Sequence, residues 1–399
     1  MASIASPARS FPNSGFQRID NSQKIDEEKF PDYLEERYYP VRIGESFNSR
    51  YQVITKLGFG AGSTVWLCRD LVEHRFLTLK VNVRSRRANP EILLSEHMKS
   101  IEEVHGGEKY VRRVIDSFDV DGPHGTHCCL LYEPAGIDIN EFIHRLEGGA
   151  LSEHMLRMTV RFILIALDYL HQLNVVHTDV QPNNILLGIE DDSILAQMER
   201  DELETPGPRK QISQDRFIYL SRSMPLTRGE PLLSDMGEAR LSTQGSSMGK
   251  HTGLIMPTIY RAPEVMLGLE WDSKVDIWAL GQTIWTIFER GHLFDNVNPG
   301  GELDHSRRFA EMISLMGPPP STFLKQSDES HKYWDENGNW KNSYPIPEQS
   351  LESREVQLTG PSQELFLRFM RKMLQWDPED RASAQQLLFE DEWVSGGEY

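Results

Sequence analysis

Three side chains near the middle of the sequence have the chemistry to act together on a phosphate. In the run His177-Thr178-Asp179-Val180-Gln181-Pro182-Asn183-Asn184, Asp179 offers a carboxylate and Asn184 an amide oxygen, and Asp235-Met236-Gly237 adds a second carboxylate. Such oxygens are the hard donors that Mg²⁺ takes while it bridges substrate phosphates. On that reading Asp179 accepts a proton from a hydroxyl, and Asn184 and Asp235 hold the metal. Each residue alone is equally a turn residue, because Asp and Asn side chains bond their own backbone in turns.

A second constellation precedes it. Leu57, Gly58, Phe59, Gly60, Ala61, Gly62, Ser63, Thr64 and Val65 lie between two predicted strands. Glycine lets backbone N–H groups approach phosphate oxygens with no side chain in the way. A dinucleotide fingerprint needs a helix after the loop; here a strand follows, and Ser63 stands where the third glycine of that fingerprint would be. The loop alone fits a plain hairpin equally well. Lys80, on the next predicted strand, has a charge that can reach nucleotide phosphates, and Glu96 on the following helix can hold it; alone, that pair reads as a surface salt bridge. The turn-residue reading fails for the ordered set of loop, Lys80, Glu96, His177/Asp179/Asn184 and Asp235.

The elements that must position these groups change along the chain. Tyr51–Lys56, Thr64–Arg69 and Phe76–Val81 are short β-rich runs that read as an antiparallel meander, and His127–Tyr132 as another strand. Pro90–Glu103 reads as a helix. After Gly136 helices dominate: Ser152 caps one that runs to about Gln172, and Ser273–Arg290 is apolar on nearly every face, as a helix in the middle of a domain is. Gly291 is its expected C-cap. Residues 190–231 interrupt the helical part with a charged helix and a loop.

Composition narrows the function classes. The chain has 399 residues and a formal charge of −18. At roughly 100–200 residues per domain it makes two or three units. A net negative chain is a poor nucleic-acid binder, so no direct nucleic-acid partner is expected. Residues 19–36 and 190–204 carry −11 of the −18, which reads as solvation of mobile segments rather than as a substrate groove. The most apolar stretch, Val160–Leu170, is broken by Arg161 and Asp168, far short of the roughly 18–20 apolar residues of a membrane span, so no membrane partner is expected. Cys68, Cys128 and Cys129 form neither a disulfide framework nor a zinc spacing, which favours a reducing compartment. The first residues lack the apolar core of a secretory signal; a mitochondrial presequence and a disordered tail both fit them, and the tail is the preferred reading.

The ordered set resembles the signature of the eukaryotic protein kinases, over about residues 40 to 394. The resemblance implies an α+β, bilobal fold: a disordered tail over 1–36, a small β-rich N-lobe over 37–133, and a larger, mainly helical C-lobe over 134–396 that carries the acidic insert 190–231. It implies that ATP and Mg²⁺ are used. Residues 57–65 would cover the nucleotide, with Lys80 as the strand lysine and Glu96 as its helix partner. Tyr132 would guard the adenine pocket, with Glu133 and Ala135 on the hinge. Asp179 would be the base, and Asn184 and Asp235 the Mg²⁺ ligands. Ala262-Pro263-Glu264 would close the activation segment, with Arg381 paired to Glu264. The implied activity is serine/threonine phosphorylation of a protein substrate by a monomer.

Narrower features resemble the SR-protein kinases: Tyr39-Pro40-Val41-Arg42-Ile43-Gly44, Ser63-Thr64-Val65-Trp66-Leu67, His177-Thr178-Asp179, and an insert after Asn184-Ile185-Leu186-Leu187. They imply basic, Arg/Ser-rich substrates, a part in mRNA processing, and a cytoplasmic or nuclear location. Arg84-Ser85-Arg86-Arg87 is the nearest thing to an import cluster, and a solvated loop is its plainer role. Four positions depart from the kinase pattern: Gln181 for the catalytic-loop Lys, Met236 for Phe, Thr78 for Ala two residues before Lys80, and Thr178 for the Arg that in many kinases receives an activation-loop phosphate. Gln181 keeps a donor and loses the charge, so it joins Asp179 and Lys80 as a catalytic position and a slowed enzyme is expected. The alternative is a pseudokinase, a scaffold that holds nucleotide without turnover.

Overall fold

Short, β-branched and aromatic runs separated by tight turns build the first part of the chain into one sheet. In the computed structural model, which describes residues 6–85, 88–101, 105–242, 249–294, 304–341 and 344–396, its strands are β1 (Ser46–Phe47), β2 (Tyr51–Gly60), β3 (Ser63–Asp70), β4 (Arg75–Asn82), β5 (Asp116–Gly122) and β6 (Gly125–Tyr132), with helix α1 (Pro90–Ser100) between β4 and β5. They lie in the order β1-β2-β3-β4-β6-β5, and every neighbouring pair is antiparallel. The predicted meander is therefore present. The expected helix from Pro90 ends at Ser100, and residues 102–104 lie outside the described residues, as do Arg86 and Arg87 of the basic run and residues 1–5 of the tail.

The chain continues through α2 (Ile139–Arg145), α3 (Glu153–Gln172), β7 (Val175–Val176), β8 (Ile185–Leu187), α4 (Ser193–Glu204), β9 (Arg209–Gln211), β10 (Phe217–Tyr219), β11 (Pro231–Leu233) and β12 (Arg240–Leu241). Then come α5 (Pro263–Met266), α6 (Lys274–Glu289), α7 (His305–Met316), α8 (Ser321–Leu324), α9 (Leu351–Arg354), α10 (Pro361–Met373), α11 (Ala384–Glu390) and α12 (Glu392–Ser395). No described helix is long and apolar enough to cross a membrane. The chain divides into two compact units: residues 1–95, 112–137 and 187–229 form the first, and residues 96–111, 138–186 and 230–399 the second.

That division corrects the expected boundaries. The arm before β1 and the insert after β8 both belong to the first unit, and each is exposed over much of its length but buried at a few positions. Val41 near the end of the arm, Phe47 on β1 and Tyr219 from β10 join Tyr51, Val53, Trp66, Leu79 and Leu131 in one buried cluster of the sheet. Of the fourteen acids in residues 19–36 and 190–204, eight are exposed as expected, while four, Asp26, Glu27, Glu199 and Glu202, are buried against cations. Lys56 on β2 is wholly buried between Asp26, at 3.1 Å, and Glu27, and it also donates to the Tyr219 carbonyl at 3.0 Å. On α4, Leu195, Met198, Glu199 and Glu202 share the buried face. Glu199 takes Arg9 at 3.1 Å and the Arg69 Nε at 2.9 Å. Glu202 takes Arg209 at 3.0 Å, Arg222 at 2.8 Å and the Thr55 hydroxyl at 3.2 Å. The loop expected after the charged helix contains an antiparallel hairpin of β9 and β10.

In the second unit, α3 starts where Ser152 predicts: the Ser152 hydroxyl accepts the Met155 N–H at 3.3 Å. Helix α6 is buried on every side, from Val275 through Trp278 and Ile284 to Phe288. Its C-cap is Arg290, with φ +59°, and not the expected Gly291. Glu264 and Arg381, paired by resemblance, meet in two bonds of 2.8 and 3.0 Å with both side chains buried.

Breaking a buried charge pair by removing one partner costs about 3–5 kcal/mol, because the other charge stays buried alone. Lys56→Ala is therefore expected to lower the unfolding free energy of the first unit by that order. Denaturant melts that move by less than about 1 kcal/mol would show that the arm acids are solvated after all.

Candidate active site

The first unit holds the glycine-rich turn and the strand lysine singled out in the sequence. Gly58 pairs with Val65, Phe59 with Thr64 and Gly60 with Ser63 across the β2–β3 turn, with Ala61 and Gly62 at the tip. The register slips between Lys56 and Gly58, so Leu57 lies at an irregularity in the ladder. A Cβ added at Gly58 or Gly62 would meet nothing within 4 Å, so the backbone there is open to a group as large as a phosphate. Val65 pairs in turn with Lys80 on β4.

The carboxylate on Lys80 differs from the expectation. Lys80 Nζ donates to Glu91 Oε1 at 2.8 Å, and the Tyr132 hydroxyl donates to Glu91 Oε2 at 2.5 Å. Glu91 is buried in the first turn of α1, whereas Glu96 is exposed. Five residues at about 100° each put the two side chains roughly 140° apart around the helix, so only one can face the strand. Glu91 has a further advantage at the helix N-terminus, where the macrodipole favours an anion. Sequence reasoning missed it. The available signals were Pro90 at the first helical position and a Glu immediately after it.

Tyr132 is buried on β6 opposite Thr78. Thr78 Oγ1 is buried with no hydrogen-bond partner among the described residues. An unsatisfied buried hydroxyl two residues before Lys80 on the same strand fits a site completed by a polar ligand. Ala135 is buried, and the Glu133 carbonyl accepts the Arg112 guanidinium at 3.1 Å while its carboxylate pairs with Arg75 at 2.6 Å.

The second unit brings together the remaining predicted residues. Asp179 Oδ1 accepts Gln181 Nε2 at 2.8 Å, and Oδ2 accepts Asn184 Nδ2 at 2.7 Å. Asn184 Nδ2 also reaches the Asp179 carbonyl at 2.8 Å, so its amide oxygen is turned away from Asp179. The Ser234 N–H donates to the Asn184 carbonyl at 2.8 Å, which sets Asp235 beside Asn184. Asp235 has φ +66°, and its carboxylate accepts the Gly237 N–H at 3.4 Å. A left-handed non-glycine residue of this kind costs of order 1–3 kcal/mol and is typical of functional sites. Burial pushes the Asp179 carboxyl above its ordinary value, the Asp235 charge adds to that, and the His177 ring and the two amide bonds oppose it. An amide oxygen and carboxylates are donors suited to a divalent cation that arrives with phosphates, so Asn184 and Asp235 fit as its holders.

One buried acid holds this loop in place. Asp276 Oδ2 accepts the His177 N–H at 2.8 Å and His171 Nε2 at 2.9 Å, while Oδ1 accepts the Thr178 N–H at 2.7 Å. Thr178 has φ +65°, and its hydroxyl donates to the Glu238 carbonyl at 2.8 Å. The Asp179 N–H donates to His177 Nδ1 at 3.2 Å, which leaves Nε2–H to donate to the Ser234 carbonyl at 3.1 Å. From the middle of α6 the Thr283 hydroxyl donates to the Val180 carbonyl at 3.2 Å. The sequence contains a signal for Asp276: an acid inside a helix that is apolar all round must find donors.

Comparison with known proteins identifies the family of the chain. Residues 51–394 match the family described as the protein kinase domain. A serine/threonine protein kinase of Aspergillus fumigatus is 43% identical over 395 residues, which cover 98% of this chain and 95% of that one. The serine/threonine-protein kinase SRPK of Physarum polycephalum is 29% identical over 393 residues, or 91% of this chain and 90% of that one. Mouse SRSF protein kinase 3 is 36% identical over 181 residues, or 44% of this chain and 32% of that one. A solved kinase domain superimposes with a TM-score of 0.67 at 23% identity, covering 90% of this chain and all of the other; at that identity it speaks for the fold alone.

The lysine's partner is open to a direct test. A charged partner on a nucleotide-binding lysine contributes roughly 1–2 kcal/mol, a factor of about 5–30. Glu91→Gln is expected to weaken ATP binding by that factor and Glu96→Gln by less than about twofold, as read by titration with an ATP analogue. The reverse order would return the lysine to Glu96. From residue 51 to residue 394 the chain belongs to the protein kinase family, among the serine/threonine kinases.

Proposed function

We propose that this serine/threonine kinase passes the γ-phosphoryl of Mg·ATP to serine hydroxyls in basic, Arg/Ser-rich protein segments, at an attenuated rate. The observation that carries catalysis is the carboxylate of Asp179, held on both oxygens by Gln181 and Asn184. The substrate hydroxyl gives its proton to Asp179 as its oxygen bonds the γ-phosphorus. The bond from that phosphorus to the bridging β–γ oxygen breaks, and ADP leaves. A divalent cation, here taken as Mg²⁺, would be held by Asn184 and Asp235 and neutralises charge on the phosphates. The raised pKa of Asp179 suits a base, because burial strengthens its hold on the incoming proton.

Gln181 is the source of the attenuation. It keeps the bond to Asp179 that positions the base, so the loop is intact, and it lacks the cation that would also stabilise the transferring phosphoryl group. Charge-assisted bonds are roughly twice as strong as neutral ones, which makes the deficit about tenfold in rate. This bond to the base favours a slow catalyst over a scaffold. Support for the substrate class comes from the likeness to proteins named SRPK and SRSF protein kinase 3. The same likeness points to a part in mRNA processing, and a monomer in cytoplasm or nucleus is our proposal from the sequence resemblance alone.

Incubated with Mg·ATP, the protein is expected to phosphorylate an Arg-Ser repeat peptide in preference to an acidic serine peptide, with Gln181→Lys raising kcat roughly tenfold. Turnover on the acidic peptide alone would overturn the substrate class. Absence of phosphate transfer in both forms, with nucleotide still bound, would turn the reading to a pseudokinase.

A further inference from the structure

The arm before β1 ends in a contact that the kinase reaction itself does not explain. Tyr38 is buried, and its hydroxyl lies 3.1 Å from both the Gly60 and the Ala61 carbonyl oxygens at the tip of the glycine-rich loop. One proton is shared between two acceptors there. A second arm residue, Phe30, packs its ring edge-on to Phe59 at 5.8 Å, and Lys56 Nζ lies 5.5 Å from the Phe59 ring centre on the same loop. Glycine-rich backbone is intrinsically loose, because it has the most conformational freedom to lose on ordering. A bond to two successive peptide carbonyls at the tip removes part of that freedom before nucleotide arrives.

Tyr38 is itself held from behind. Arg216, in the turn between β9 and β10 of the insert, donates through Nη2 to the Glu35 carbonyl at 2.7 Å and through Nη1 to the Tyr38 carbonyl at 3.3 Å. The Arg84 N–H, just past β4, donates to the Arg37 carbonyl at 3.0 Å. The insert thus fixes the arm's backbone, and the arm's side chain fixes the loop.

We propose that Tyr38 is a positioning residue for the nucleotide loop, and that the insert acts on nucleotide affinity through Arg216 and the arm. The brace holds the tip carbonyls of Gly60 and Ala61 on the arm, which leaves the neighbouring backbone N–H groups preorganised for phosphate. The proposal rests on the kinase assignment and not on the identity of the protein substrate.

Tyr38→Phe keeps the ring and removes only the shared hydrogen bond. It is expected to weaken binding of the non-hydrolysable ATP analogue AMP-PNP by roughly three- to tenfold. Amide hydrogen exchange at residues 59–63 of the nucleotide-free protein should speed up by a similar factor. The kcat at saturating ATP and the KM for the protein substrate should move by less than about twofold, with the melting temperature within about 2 °C. Arg216→Gln should shift the same two readings the same way, and the double variant should be little worse than Tyr38→Phe alone, since both act on one contact. Unchanged AMP-PNP affinity and unchanged exchange in Tyr38→Phe would overturn the proposal. A loss spread over melting temperature, kcat and both KM values would overturn it too, by making Tyr38 a general stabiliser.

Discussion

Asp276 is a wholly buried acid near the start of α6, and the 177–184 loop of the second unit is arranged around it. Burying a lone carboxylate costs several kcal/mol, so its oxygens must be filled with donors. Two come from the backbone of His177 and Thr178 and one from the His171 ring. Filling them with consecutive N–H groups turns the chain sharply, and Thr178 takes a left-handed conformation that a β-branched residue otherwise avoids. The next residue is Asp179. A buried acid in the core thereby sets where Asp179, the proposed base, stands, and the hydroxyl of Thr283 on the same helix adds a second fixed point at Val180.

The departures from the kinase pattern make sense against that frame. The Thr178 hydroxyl, where many kinases have a guanidinium, closes onto the Glu238 carbonyl and helps hold the strained turn. Gln181 keeps the contact that orients Asp179 and gives up the charge. Met236 is buried, as the Phe it replaces would be. Thr78 is different: its hydroxyl is buried with no partner among the described residues, an uncompensated cost in the strand.

The cluster of Asp179, Gln181 and Asn184 was legible in the sequence because the three are close neighbours, and the contacts among them follow from residue type and spacing. The meander was legible from its strand and turn residues, and α6 from its unbroken apolar character. The partner of Lys80 was not, because Glu91 and Glu96 both lie on one helix and only its rotation against the sheet chooses between them. Four acids of the arm and the insert were misread for a related reason, while most of the others are exposed as expected. Glu199 and Glu202 look like solvated charge until Arg9, Arg69, Arg209 and Arg222 are brought to them, and Asp26 and Glu27 do so until Lys56 is. Charge runs read as exposed by default; the long-range pairing that buries these is a property of the tertiary fold. Even so, the face of α4 shows the spacing in outline, since Leu195, Met198, Glu199 and Glu202 recur as one helical stripe.

The central claim, that a buried carboxylate positions the base, is tested most directly by Asp276→Asn. The amide matches the carboxylate in shape but has one acceptor oxygen where the loop needs two. In a single-turnover assay with saturating ATP, phosphoryl transfer is predicted to slow by about 10²-fold or more, since a misplacement near 1 Å has that effect. Binding of an ATP analogue and cooperative unfolding should be retained. A variant that folds and transfers phosphate within about threefold of the parent rate would contradict the account.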